Sequence, residues 1–218
     1  SHFLPLFLIM LPFKRILVLA PHTDDGELGC GATLAAYCKA GATVHYAAFS
    51  TCKESLPAGL APDTLKQECI DATGILGIPA SRVVFFDYAV RQMPANRQSI
   101  LDSLLQLKTS IAPDLVFLPA AADIHQDHHT IYEEGLRAFK YCSLAGYELP
   151  WNNKSFAPTW FHTVSEEALE LKTTALQCYQ SQQHRAYMRS SFIRSLAEVR
   201  GVQSGQNFAE AFEVYRMY

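Results

Sequence analysis

Short apolar runs alternate with helical patterns along most of this chain, and this alternation constrains the fold most strongly. Residues 16–20 contain no polar side chain, which is typical of a strand buried on both faces of a sheet. Similar runs at residues 43–49, 83–86 and 115–118 predict three further strands, and a helical pattern follows each run. We therefore predict an α/β fold with a doubly wound, mostly parallel sheet and helices on both faces.

The rest of the pattern predicts the other elements and the domain organisation. The predicted helices between and after these strands span residues 31–40, 63–76, 97–111 and 130–141. In the last third, strands are predicted at residues 156–164 and 211–217, and helices at residues 166–183 and 192–200. We expect a single domain over residues 14–218, after an N-terminal extension of residues 1–13 in which Ser1 and His2 are candidate expression-tag residues.

The composition excludes several classes of protein. Of the 218 residues, 49% are hydrophobic and 18% are charged, which is typical of a compact globular protein. The formal net charge of −3 does not indicate a nucleic-acid partner. The apolar stretch 3–13 is too short to span a bilayer and contains two prolines, so we expect no integral membrane segment. Six scattered cysteines without a Cys-x-x-Cys pair predict reduced thiols and a cytoplasmic location.

The first predicted strand ends at Pro21, and a dense polar cluster follows it. One imidazole and three carboxylates, those of His22, Asp24, Asp25 and Glu27, occur within six residues. Carboxylates this close together repel one another and resist burial unless a positive charge lies among them. A divalent metal ion is the simplest such charge, so the cluster predicts a metal-dependent enzyme.

A second polar cluster follows the fourth predicted strand. It contains three histidines and two aspartates in seven residues: Asp123, His125, Asp127, His128 and His129. In the commonest doubly wound order, the first and fourth strands are neighbours where the strand order reverses, and ligands bind beyond their carboxyl ends. We therefore expect the two clusters to face each other across one crevice.

The residue types in the two clusters indicate metal-assisted hydrolysis. Two histidines and one carboxylate form a common open site for zinc or ferrous iron. Asp24 and Asp25 are adjacent and cannot share one role, so one would bind the metal and the other would accept a proton from metal-activated water. A remaining histidine, held protonated by a neighbouring carboxylate, would donate a proton to the leaving group.

The two clusters together resemble the motifs of a known family. The pattern Pro21-His-x-Asp-Asp-x-Glu-x-Gly-x-Gly31, paired with Asp123-x-His-x-Asp-His128, is similar to that of the LmbE-like, PIG-L family of N-acetylglucosamine-type deacetylases. The resemblance includes Phe208-Ala-Glu-Ala-Phe-Glu213 and extends over a Rossmann-like chain from about Lys14. It implies removal of an acetyl group from an N-acetylated amino sugar or sugar conjugate.

The resemblance also implies roles for individual residues. The implied zinc ligands are His22, Asp25 and His128. Asp24 would be the general base, His125 the acid or electrophilic partner, and Asp127 the residue that tunes His125. Glu27 is then expected to support the loop or the helix start, and His129 is the alternative metal ligand. Zn²⁺ is the expected cofactor, with Fe²⁺ or another divalent metal as the alternative.

Candidate substrate contacts follow from position and composition. Arg91 lies after the third strand, at the expected edge of the crevice, where it would bind a phosphate or hydroxyl group. Tyr147 and Trp151 belong to a segment that combines aromatic and amide side chains, which suits stacking on a sugar ring. Glu54 and Glu210 are lesser candidates.

Other functions and partners remain open at this stage. One alternative is a metal-dependent amidase acting on a sugar-thiol conjugate or another small amide, because residues 50–56 lack the glycine-rich pattern of thiol-cofactor pathway members. A different class is a non-catalytic nucleotide-binding module, although residues 29–32 lack the Gly-x-Gly-x-x-Gly spacing. The partner is expected to be a small N-acetyl sugar, free or linked to a nucleotide or lipid; a homo-oligomer is left open.

Overall fold

A computed structural model describes residues 13–218 of the chain, so the predicted extension lies outside the described residues except for Phe13, which is buried. The strands are β1 Arg15–Ala20, β2 Thr43–Ala48, β3 Val83–Phe85, β4 Leu115–Pro119, β5 Ser143–Tyr147, β6 Trp160–Thr163 and β7 Ala209–Arg216. The helices are α1 Asp25–Lys39, α2 Thr64–Ile75, α3 Arg97–Ile111, α4 Gln126–Ala138, α5 Glu166–Gln177 and α6 Ser190–Ser204.

The seven strands form one sheet in the order β3-β2-β1-β4-β5-β7-β6. Strands β1 to β5 pair in parallel, whereas β7 is antiparallel to both β5 and β6. The mostly parallel α/β prediction is confirmed. Strands β1 and β4 are neighbours, and the order reverses between them, so their carboxyl ends form the crevice where ligands bind in such sheets.

Alternate residues of the central strand pack on opposite faces of the sheet. Ile16 and Val18 belong to one buried cluster, while Leu17 and Leu19 belong to the other. A strand buried on both faces needs apolar residues at every position, which explains the unbroken apolar run in the sequence. All six cysteines are free thiols, as predicted. Within residues 13–218, no helix combines the length and apolar character needed to cross a membrane.

Helix α1 begins six residues earlier than predicted. Its first turn contains two carboxylates, Asp25 and Glu27, which favour the positive end of a helix. The helix is interrupted at Cys30, which has φ −143° and ψ 17°, so the predicted start at residue 31 corresponds to the second half of a kinked helix.

A buried ion pair supports the two halves of α1 at this kink. The Glu210 carboxylate on β7 accepts hydrogen bonds from the backbone N–H groups of Ala32 and Thr33, at 3.2 and 2.6 Å. Lys172 on α5 donates to the same carboxylate at 2.6 Å and to the carbonyl of Leu28 at 2.7 Å. These contacts satisfy backbone groups that the interrupted helix leaves free, which gives Glu210 a structural role.

Strand β5 was not predicted, and α4 begins at Gln126 where residue 130 was expected. The β5 sequence mixes small and polar residues, Ser143 and Gly146, with apolar ones, so it lacks the apolar run of the other central strands. Gly146 is nevertheless required, because the Tyr215 ring lies where its Cβ would be.

Candidate metal centre and active site

The two polar clusters meet beyond the carboxyl ends of β1 and β4. Residues 21–24 connect β1 to α1, whose first residue is Asp25, and residues 120–125 connect β4 to α4. His22, Asp24, Asp25, His125 and His128 all line one cavity of about 310 Å³. The expectation that the clusters face each other across one crevice is therefore confirmed.

Three potential ligand atoms form a compact triangle at the base of this cavity. Asp25 Oδ2 lies 3.2 Å from His22 Nδ1 and 3.2 Å from His128 Nε2, and the two nitrogens are 3.1 Å apart. Tetrahedral zinc with ligand distances near 2.0–2.1 Å separates its ligands by about 3.3 Å. The donor set and its spacing therefore fit a small divalent metal. A ring nitrogen of His125 also lies within 4.8 Å of those of His22 and His128.

Each histidine of the triangle is oriented by a carboxylate at its other ring nitrogen. His22 Nε2 lies 3.1 Å from Asp127 Oδ2, and His128 Nδ1 lies 2.7 Å from Asp123 Oδ2. Such carboxylate–histidine pairs fix the tautomer and ring orientation of metal ligands. The sequence analysis assigned no role to Asp123, although its position in a His- and Asp-rich segment was the available signal.

The carboxylate of Asp127 forms its side-chain hydrogen bond with His22. Its charge also raises the pKa of His125, although burial outweighs this effect. Asp127 is fully buried and also accepts hydrogen bonds from the backbone N–H groups of Arg91 and Met93, at 2.5 and 3.2 Å. Arg91 has a positive φ of 68°, which is uncommon for a residue other than glycine. Asp127 thus connects the metal-binding triangle to the strained loop that carries Arg91.

Charges within the triangle shift its pKa values in opposite directions. Burial alone lowers the pKa of His128, but the carboxylates of Asp25 and Asp123 outweigh it and raise this pKa to about 10. Burial raises the pKa of Asp25, but the imidazoles of His128 and His22 outweigh it and lower the pKa. The chain therefore holds a buried anion between two basic imidazoles.

Asp24 and His125 border the same cavity with different electrostatics. Burial, followed by repulsion from Asp25, raises the pKa of Asp24 to about 6, within the range suited to a base near neutral pH. Burial, followed by repulsion from His128 and His22, lowers the pKa of His125 to about 4. His125 Nδ1 accepts the backbone N–H of Asp127 at 3.2 Å, so a neutral His125 bears its hydrogen on Nε2. A neutral His125 would therefore present an N–H group to the cavity.

Glu27 lies beneath the metal-binding loop, away from the cavity. Its carboxylate contacts the hydroxyl of Tyr46 and lies 2.8 Å from that of Tyr179. Both hydroxyls also reach the carbonyl of Thr23, at 2.9 and 2.6 Å. Burial raises the pKa of Glu27 to about 8. The cluster therefore braces the loop from below, in agreement with the expected supporting role.

Two of the five candidate substrate contacts border the cavity. Arg91 and Trp151 line it. Tyr147 does not: it is fully buried, its hydroxyl donates to the carbonyl of Leu19 at 3.0 Å, and its ring packs against Gly29. Glu54 is exposed in a short helical turn outside the cavity lining. The substrate contact predicted for Tyr147 is therefore wrong, whereas that of Glu54, which adjoins Ser55 of the cavity lining, stays a prediction.

One wall of the cavity, facing the two polar clusters, was not predicted from the sequence. Gln182, Arg185 and Tyr187 form this wall, and Cys52 borders the cavity at the end of β2. The wall comes from the irregular segment between α5 and α6, where neither periodicity nor a motif marks a site. Only the folded chain brings this segment next to Asp24.

Two sequence comparisons relate this chain to known deacetylases. The sequence profile of a family described as PIG-L, GlcNAc-PI de-N-acetylase, matches residues 17–139. An Escherichia coli K12 protein named uncharacterized deacetylase YaiS is 30% identical over 174 residues, which cover 77% of this chain and 91% of that protein.

Solved structures share the fold at lower identity. The N,N′-diacetylchitobiose deacetylase from Pyrococcus horikoshii has a TM-score of 0.79 at 19% identity and covers 93% of this chain and 84% of its own. GalB, the 4-carboxy-2-hydroxymuconate hydratase from Pseudomonas putida KT2440, has a TM-score of 0.75 at 19% identity, with 94% and 97% covered. At these identities the likeness establishes the fold alone.

Proposed function

Because this chain belongs to the PIG-L family of de-N-acetylases, we propose that it is a metal-dependent hydrolase that removes an acetyl group from an N-acetylated amino sugar or sugar conjugate. The observation that carries the proposal is the triangle of His22, Asp25 and His128, which lies in one cavity with Asp24 and His125. A binding module would not need a base and a hydrogen-bond donor on either side of a metal-binding triangle.

The residues of the triangle would hold Zn²⁺, with Fe²⁺ as the alternative, since two imidazoles and one carboxylate suit both. When bound, such an ion lowers the pKa of water and polarises a carbonyl group. Asp123 and Asp127 would keep the two imidazoles in the orientation that the ligands require.

Asp24 would act as the base. We propose that its carboxylate takes a proton from the attacking water while the water oxygen forms a bond to the acetamide carbon. The neutral His125 would donate a hydrogen bond from Nε2 to the carbonyl oxygen as negative charge develops there. The C–N bond then breaks, and the amine nitrogen takes the proton that Asp24 accepted, which leaves a free amine and acetic acid; the acid then loses its own proton to the solvent as acetate.

The role of His125 differs from the acid inferred from sequence. A histidine whose pKa is lowered to about 4 is neutral near pH 7, and its proton loss would leave an unfavourable imidazolate. The electrophilic role, which the family resemblance also allows, is therefore the one proposed here.

A substrate screen with metal analysis tests the proposal. The purified chain, loaded with Zn²⁺ or Fe²⁺, is incubated with N-acetylglucosamine, N,N′-diacetylchitobiose, a nucleotide-linked N-acetyl sugar and a larger sugar amide, and released acetate and amine are measured. We expect stoichiometric acetate and amine from at least one acetylated sugar. Cleavage of the larger amide alone would instead support the amidase, and nucleotide binding without hydrolysis would support the binding module.

A hydratase is the second candidate, because one protein of this fold adds water to a carbon–carbon double bond. The same geometry of base and metal-binding triangle would serve that reaction. The test is to incubate the chain with 4-carboxy-2-hydroxymuconate and to monitor water addition as a loss of ultraviolet absorbance. Such a loss, with no acetate released from any sugar, would favour the hydratase over the deacetylase.

A further inference from the structure

The segment between α5 and α6 is fixed to the metal-binding loop. Tyr179 is fully buried, and its hydroxyl lies 2.6 Å from the carbonyl of Thr23. Two residues later, Ser181 donates to the carboxylate of Glu68 on α2 from its backbone N–H and its hydroxyl, at 2.9 and 2.6 Å. Met188, at the other end, is buried. The wall that carries Tyr187 is therefore anchored at both ends.

The ring of Tyr187 is oriented by a second aromatic residue. It stacks on Trp151, with ring centroids 4.0 Å apart and planes inclined by 10°. Trp151 comes from the connection between β5 and β6, so the stack joins two separate walls of the cavity. One face of Trp151 is thus covered by Tyr187, and this face is closed to the sugar stacking predicted from sequence.

The hydroxyl of Tyr187 lies in the field of the catalytic groups. Burial, followed by the charge of Asp24, raises the pKa of Tyr187, while Arg185 opposes this shift. The phenol therefore remains protonated near neutral pH. Tyr187 lines the cavity and is half-buried, so its phenol is held by the stack on Trp151 while part of the side chain stays accessible. A rigidly held phenol that borders the site in this way is suited to bind a ligand.

We propose that Tyr187 is a further substrate-binding residue, whose hydroxyl forms a hydrogen bond with a hydroxyl group of the sugar that carries the acetamide. This inference rests on the proposed deacetylase function. A phenol can donate and accept one hydrogen bond at once, as can a sugar hydroxyl. The proximity of two carboxylates, Asp24 and Asp25, makes Tyr187 a poor partner for a developing negative charge, so we assign it to binding and not to the chemical step.

Kinetics of the Tyr187→Phe variant test this assignment. Phenylalanine retains the stack on Trp151 and removes only the hydroxyl. With N,N′-diacetylchitobiose and N-acetylglucosamine as probes, we expect KM to rise about tenfold, the usual effect of losing one neutral hydrogen bond. We expect kcat to change by less than about twofold, because the interaction is equal in ground and transition states. Tyr141→Phe, at a residue 81% exposed and outside the cavity lining, is the matched control.

A double variant tests whether Trp151 acts by orienting Tyr187. Trp151→Leu removes the stack and should also raise KM, and adding Tyr187→Phe should raise it little further. Equal KM values for wild type and Tyr187→Phe would overturn the inference, as would a fall in kcat at constant KM.

Binding of glucosamine, the product form of one probe, separates this inference from the proposed function. We expect Tyr187→Phe to weaken its binding about tenfold in a titration that requires no turnover. Wild-type protein that binds glucosamine but releases no acetate would contradict the deacetylase and leave Tyr187 to be judged by binding alone. Protein that neither binds nor hydrolyses these sugars would overturn both.

Discussion

Asp25 and Glu27 are two buried carboxylates, two residues apart in the first turn of α1, yet their surroundings have opposite effects. Asp25 lies between the imidazoles of His22 and His128, which lower its pKa and keep it charged. Glu27 contacts two phenols, and burial raises its pKa to about 8. Similar residue types in one motif thus serve as a charged metal ligand and as a near-neutral brace, and the partners decide which.

Replacement of the charged member of this pair should have the largest effect. Asp25→Asn removes the anion that His22 and His128 share, so we expect Zn²⁺ content well below one per chain. Acetate release should fall to below about a thousandth of wild type. Elemental analysis and acetate release measure the two effects, with Asp71→Asn on the exposed surface of α2 as control. Full metal content in Asp25→Asn would refute the ligand assignment.

The neighbouring carboxylate should separate catalysis from metal binding. Asp24→Asn removes the proposed base but leaves the triangle intact, so we expect wild-type metal content with turnover reduced by about 10²- to 10⁴-fold. The measurement is kcat together with bound metal per chain. Unchanged turnover would exclude Asp24 as the base.

The carboxylate behind His22 should have an intermediate effect. Asp127→Asn weakens the contact that orients His22, so we expect metal affinity to fall by about 10- to 100-fold. Competition with a chelator measures this, and Asp123→Asn should behave in the same way through His128. An affinity that is unchanged in both variants would show that the imidazoles need no support.

The brace should affect stability more than chemistry. Glu27→Ala removes the carboxylate that the buried hydroxyls of Tyr46 and Tyr179 both contact and leaves them only the carbonyl of Thr23, so we expect the free energy of unfolding to fall by about 1–3 kcal/mol. Glu27→Gln, which keeps the size without the charge, should cost less. Denaturant unfolding measures both, and metal content should remain near that of wild type. Loss of metal from Glu27→Ala without loss of stability would contradict the structural role of Glu27 and its difference from Asp25.

The part of the site that was predictable from the sequence is the pair of polar clusters, because each cluster is one continuous segment. Residues 22–25 and 123–128 each follow an apolar strand directly, and parallel strands bring such ends together, so their meeting could be predicted. The partner of Asp127 could not, because it depends on which ring lies nearest after folding. Tyr187 was also beyond prediction, since the wall that carries it is irregular and is positioned by contacts with Thr23 and Glu68.

The prediction of strands from apolar runs was limited in the same way, because it used only local sequence. The apolar runs of β1 and β4 were found because burial on both faces requires them, whereas β5 was missed because small residues replace the apolar ones where neighbouring rings need space. The first half of α1, before the kink, was not predicted, and the helix was expected to begin at residue 31. The contacts that stabilise the kink come from α5 and β7, which are distant in the sequence.

The ion pair between Lys172 and Glu210 also makes the first helix depend on the last strand of the chain. A growing chain that has reached residue 139 already contains every residue of the metal-binding triangle. The helix that carries Asp25, however, obtains its anionic support only after translation has passed Glu210. Without β7, the interrupted helix and the buried Lys172 would both lack the carboxylate that they share. The last strand of the sheet thus completes the support of the kink in the first helix.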